Sequence, residues 1–118
     1  MPDPAMIECP VLKLQVSELD GAVVVRCSGS MTLESSDFFK RELKSRIPEK
    51  GRLVVDLSDV SRMDSSGLGA MVGLYLSARG KSCDLELINL NKQIRNLFAI
   101  SNLLSVFETC GRQGIRMP

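Results

Sequence analysis

Asp64, Ser65, Ser66 and Gly67 stand together where an apolar run gives way to helical spacing. A carboxylate, two hydroxyls and a residue without a side chain offer two kinds of chemistry. All three polar residues suit the cap of a helix, where a side-chain oxygen takes up backbone N–H groups that lack an intrahelical partner. A serine here is also a candidate for phosphorylation. A phosphate brings nearly two negative charges and strong acceptor oxygens, and a helix N-terminus tolerates an anion. Such a group would bar a partner that docks there. Asp64 would add repulsion, and Arg62 would offset part of it.

Other chemistries find less to work with. The sequence holds no histidine, so it has no Ser-His-Asp triad and no imidazole ligand. Ser65 has no visible base to activate it as a nucleophile. Gly67-Leu68-Gly69 is a fragment of a dinucleotide fingerprint, and no phosphate-binding GxxxxGK[ST] loop exists. Asp56, Asp59 and Asp64 cluster in sequence, as acidic magnesium sites do, but Asp56 falls in a strand and the set is short of oxygen ligands. Cys9, Cys27, Cys83 and Cys110 are far apart and form no CxxC pair. The expectation is a chain with no enzymatic activity, no metal and no cofactor.

The elements that must position the Asp64–Gly67 junction follow from spacing. Residues 53–57, LVVDL, are apolar apart from Asp56 and read as a strand covered on both faces. Leu68, Met71, Val72, Tyr75 and Leu76 recur at helical intervals, which predicts a helix over 66–79 with Gly80 as its stop. Upstream, 11–17 (VLKLQVS) and 22–28 (AVVVRCS) read as a hairpin with Asp20-Gly21 at its tip. Gly29-Ser30-Met31-Thr32 closes the second strand. Thr32, Ser35 or Ser36 caps a helix that runs to about Ile47, with Leu33, Phe38 or Phe39, Leu43 and Ile47 on its apolar face. Pro48 ends it. Beyond the central helix, 83–88 (CDLELI) reads as a strand and 92–100 as a helix, with a short turn plus strand over 103–107. Residues 1–10 read as an irregular lead-in and 111–118 as a loose tail. The order β-β-α-β-α-β-α-β predicts a single α/β domain, a mixed and mostly parallel sheet of about four or five strands with three to four helices.

Gly69 and Gly73 share a face of the central helix, and each costs about 1 kcal/mol there relative to alanine. The favoured explanation is close packing of helix backbone on the sheet. The alternative is a flat surface for a partner.

Composition narrows the partners. At 118 residues and a formal charge of +1, the chain is one small domain without the clustered positive charge of a nucleic-acid footprint. No apolar run is long enough to span a membrane, and the N-terminus lacks the pattern of a secretory signal. Reduced thiols in the cytoplasm are expected, with Cys27 and Cys83 as small core hydrophobes.

Residues 54–69, VVDLSDVSRMDSSGLG, resemble the signature of the STAS family, and within it the anti-sigma-factor antagonists. The resemblance extends over about 11–110. It implies that Ser65, directly after the aspartate, is the phosphorylation site, with Ser30, Thr32, Arg62, Asp64, Ser66, Gly67 and Leu68 forming the docking surface. It implies two partners: an anti-sigma factor that is itself an ATP-dependent serine kinase, and a metal-dependent serine phosphatase. The unmodified protein binds the anti-sigma factor and frees the sigma factor, phosphorylation ends the complex, and the phosphatase restores it. ATP belongs to the kinase in this scheme. The sequence departs at Gly29–Thr32, where the family places an aspartate at the position of Thr32. Two other readings share the motif. One is a constitutive STAS subunit of a larger assembly, such as a lipid-transport complex or stress-sensing scaffold, with Ser65 acting as a cap. The other is ligand or nucleotide sensing at the same loop.

Overall fold

The computed structural model describes residues 5–100, 108–110 and 114–117. Along the chain these form β1 (Ala5–Cys9), β2 (Leu12–Leu19), β3 (Ala22–Met31), α1 (Leu33–Lys44), β4 (Arg52–Met63), α2 (Ser65–Gly80), β5 (Asp84–Ile88), α3 (Lys92–Ile100), β6 (Glu108–Cys110) and β7 (Gly114–Met117). The strands make one sheet in the order β1-β2-β3-β4-β5-β7-β6. β3, β4 and β5 are parallel neighbours, and the outer pairings are antiparallel. The expected mixed α/β architecture is present, but its parallel strands are confined to the centre: two pairings are parallel and four antiparallel, so the described sheet is not mostly parallel.

The sheet is wider than expected because its edges lie in segments that read as irregular. Residues 5–9 were expected to be part of an irregular lead-in, yet they pair with β2 from Ala5↔Val16 to Cys9↔Leu12. Gly114–Met117 falls in the expected loose tail and lies between β5 and β6. Short edge strands owe their conformation to the neighbour they pair with, which spacing does not reveal. The strand expected over 103–107 lies outside the described residues.

Side-chain alternation divides the sheet into two faces. Val23, Val25 and Cys27 of β3, Leu53, Val55 and Leu57 of β4, and Leu85 and Leu87 of β5 are buried. They join one core with Phe39 and Leu43 of α1, Met71, Leu74 and Ala78 of α2, and Ile94 and Phe98 of α3. The opposite face carries the buried Ala22 and Val54 together with ion pairs: Arg26 pairs with Asp59 at 2.8 Å and Arg52 with Glu86 at 3.8 Å. Cys27 and Cys83 are buried, as expected. Burial pushes the Cys27 thiol well above its ordinary range, and the nearby Asp56 charge adds to the effect, so the thiol stays protonated.

The Asp20-Gly21 tip forms as predicted, with φ of 51° and 79° at its two central residues, the left-handed pair that a tight hairpin turn needs. The central strands run further than their apolar stretches. β3 continues through Ser30 and Met31, and β4 through Ser58–Met63, where the sequence suggested turns. Their pairing reaches Met31↔Met63, with register shifts between Arg26 and Ser28 and between Gly29 and Ser30. Of the β4 extension only Val60 and Met63 are buried, which is why it reads as polar. Gly29 makes the irregularity possible: its φ is 116°, and a Cβ there would overlap the Val11 carbonyl.

Candidate functional site

The extension of β3 and β4 brings the starts of α1 and α2 together. Asp64 is the N-cap of α2. The Ser66 and Gly67 amides donate to its Oδ1 at 2.9 and 3.1 Å. Its Oδ2 accepts from the Leu33 amide, the first of α1, at 3.2 Å. One carboxylate therefore holds unpaired N–H groups of two helices. The Asp64 amide in turn donates to the Met31 carbonyl at 3.3 Å.

Thr32 precedes α1 as its N-cap residue. The Thr32 amide donates to Ser35 Oγ at 3.0 Å, and the Ser35 hydroxyl donates to the Ser30 carbonyl at 2.8 Å. Ser35 is fully buried, so this bond fixes the end of β3 against the first turn of α1.

Ser65 is the first residue of α2 and is exposed. Capping belongs to Asp64, which leaves the Ser65 hydroxyl outward and without a hydrogen bond among the described residues. Replacing Asp64 with alanine is expected to lower stability by about 1–2 kcal/mol, the cost of a lost N-cap. Ser65→Ala is expected to stay within about 0.5 kcal/mol of the parent. Thermal melts of the two variants measure the contrast.

Ser30, Thr32, Arg62 and Asp64 line one cleft of about 320 Å³ beside Ser65, together with Val11, Leu33 and Glu34. Four of the expected docking residues thus meet in space. Ser66 is half-buried beside them. Gly67 and Leu68, expected in the docking surface, are instead buried. Leu68 is 5% exposed and sits in the core. Gly67 is buried because the first turn of α2 lies against the Met31 carbonyl, leaving no room for a Cβ.

Val11, Leu33 and Glu34 escaped sequence reasoning. Leu33 was expected on the apolar face of α1 but is 74% exposed, because it opens the helix over the cleft rather than over the sheet. Gly69 and Gly73 also depart from the favoured expectation. A Cβ on Gly69 would meet open space, and one on Gly73 would meet the Lys40 side chain of α1. Neither packs on the sheet.

The three clustered aspartates have separate partners. Asp56 accepts from the Ser58 amide at 2.9 Å and from the Asn89 side chain at 3.1 Å. Partial burial pushes its carboxyl up, but these bonds and Arg26 outweigh that and hold it below the usual carboxylate range. Asp59 pairs with Arg26, and Asp64 caps α2. Among the described residues no group of acidic and sulfur ligands gathers to hold a metal. No helix among them is long and apolar enough to cross a membrane.

A mixed sheet with a parallel centre and a serine at the head of the helix that follows the middle strand agrees with the comparison to known families. The chain matches the family model for the STAS domain over residues 13–114 and belongs to that family. It is 26% identical to the anti-sigma F factor antagonist of Paenibacillus polymyxa, over 80% of this chain and 83% of that protein. It is 27% identical to the anti-sigma-B factor antagonist of Bacillus subtilis, over 82% of this chain and 89% of that protein. Its fold is similar to that of the Bacillus cell fate determinant SpoIIAA in its phosphorylated form. There the TM-score is 0.61, with 21% identity, over 76% of this chain and 84% of the other.

Proposed function

We propose that this chain is an anti-sigma-factor antagonist whose unmodified form binds a serine-kinase anti-sigma factor and so frees a sigma factor. Phosphorylation of Ser65 ends that complex, and a metal-dependent serine phosphatase restores the binding form. ATP and metal belong to those partners, and the exchange takes place in the cytoplasm.

The observation that carries this reading is the disposition of Ser65. It is exposed at the head of α2, and the neighbouring aspartate has taken over the capping role. A serine with no structural task, in the surroundings of Ser30, Thr32 and Arg62, is open to a task of signalling. Similarity to named antagonists over more than three-quarters of the chain supports the same reading. A constitutive assembly subunit would have used Ser65 as a cap, and the hydrogen bonds assign that work to Asp64.

Phosphorylation at this position acts by obstruction. The new dianion would stand beside the Asp64 carboxylate and over the cleft, and any surface seated on Ser65 would meet both charge and bulk. Intact mass of the protein from its own host, purified with phosphatases inhibited and followed by peptide mapping, tests the reading. A single added phosphate on Ser65 is expected. Phosphate confined to other residues, or none under any growth condition, would overturn it.

A further inference from the structure

We infer that a phosphate on Ser65 is held within the same chain by Arg62, so that phosphorylation also withdraws the cation of the cleft from any partner. This deepens the antagonist reading and rests on its assignment of the phosphate to Ser65.

A phosphate at the head of a helix ordinarily takes the free backbone amides of the first turn. Here they are already engaged. The Ser66 and Gly67 amides donate to Asp64 Oδ1, and the Leu68 amide donates to the Asp64 carbonyl at 3.0 Å. Across the cleft, the Leu33 amide of α1 donates to Asp64 Oδ2. Of the first four amides of α2, only that of Ser65 itself is left. A dianion with three strong acceptor oxygens is not satisfied by one amide.

The charged side chains around Ser65 point to a single donor. Asp64 precedes it and Glu34 lines the cleft from α1, and both repel a phosphate. Lys92, at the start of α3, lines a separate cavity with Met63. Arg26 is committed to Asp59. Arg62 is the one basic side chain among the described residues that line the cleft. It is exposed, and among the described residues it has no carboxylate within ion-pair distance. Arg62 is three positions before Ser65, a span of at most about 11 Å. That lies within the combined reach of an extended arginine and a phosphoserine. The planar guanidinium can then donate to two phosphate oxygens at once.

The pairing adds to what the modification does. The unmodified cleft offers a free cation to a partner, and the phosphorylated cleft offers none. Loss of that cation acts in the same direction as the bulk and charge of the phosphate.

The test uses the full chain with phosphoserine placed at position 65 during translation, so it does not depend on a host kinase. Phosphorus NMR follows the second ionisation of the phosphate, which ordinarily falls at about pH 6. A neighbouring cation favours the dianion and lowers that value, whereas Asp64 and Glu34 raise it. Arg62→Gln is therefore expected to titrate about 0.5–1 unit above the parent, a shift reduced from that of a buried pair by exposure. Arg62→Lys should fall between the two, and Lys92→Gln should titrate with the parent. If Arg62→Gln also titrates with the parent, Arg62 does not hold the phosphate and the inference falls, while the antagonist reading stands. Large changes at the Ser66 and Gly67 amides on phosphorylation, with the titration of Arg62→Gln unmoved, would give the phosphate to the helix terminus instead. Protein from the host that carries no phosphate on Ser65 would overturn the antagonist reading and, with it, the regulatory role of the pair.

Discussion

Gly67→Ala is expected to cost on the order of 3 kcal/mol, at the upper end of what overpacking does and a large share of the total stability of a small domain. The first turn of α2 lies directly on the end of β3. A methyl group at Gly67 would overlap the Met31 carbonyl oxygen, with Met63 Cγ only 3.0 Å away. The main obstacle is backbone, and that backbone is pinned: Met31 pairs with Met63 in the sheet, and its carbonyl accepts from the Asp64 amide. No side chain can swing aside to admit the methyl. Urea denaturation should show a much lower midpoint at an unchanged slope. Gly69→Ala, two residues on and facing open space, should gain about 1 kcal/mol instead. Opposite signs for the same chemical change would show that position, not helix propensity, governs the glycines of α2.

The second large effect is on binding. Ser65→Glu should weaken the complex with the anti-sigma factor by about 100-fold or more, the cost of an unpaired charge at the centre of an interface. The melting temperature should barely move. Residue 65 is exposed, bears no capping bond and stands where the helix dipole favours negative charge. Ser65→Ala should bind as the parent does and resist phosphorylation. Calorimetric titration of the three proteins against the anti-sigma factor, beside thermal melts, separates recognition from folding. A Ser65→Glu variant that binds within threefold of the parent would remove Ser65 from the interface.

Much of this arrangement is legible in the sequence. Helical spacing from Leu68, the alternation in β2 and β5 and the Asp20-Gly21 tip each report local physics, and the fold honours them. The Asp64–Gly67 junction announces a helix start through residue chemistry alone. What the sequence hides is set by tertiary contact. Ser58–Met63 reads as a loop because one face of β4 is open there, yet the backbone continues to pair with β3. β1 lies in a proline-bearing lead-in and β7 has only four residues, so their strand conformation shows only in the neighbours they pair with. Leu33 and Leu76 fit helical spacing as well as any core residue, and only the position of each helix on the sheet shows that they face outward. Which of three adjacent polar residues caps α2 could not be read from cap preference, since all three qualify. The bonds from the Ser66 and Gly67 amides assign the cap to Asp64.

Ser65 belongs to a helix, and this limits the kind of kinase that the proposed function admits. Residues in a helix advance about 1.5 Å each, less than half of the reach of an extended chain. Enzymes that thread an extended peptide through a groove would have to unwind the first turn of α2 and break the Asp64 cap before reaching the hydroxyl. An enzyme suited to Ser65 must instead recognise a finished convex shape. Under the proposed function, a synthetic peptide of the same residues is then a poor kinase substrate beside the folded protein, and a chain whose sheet is incomplete is expected to stay unmodified.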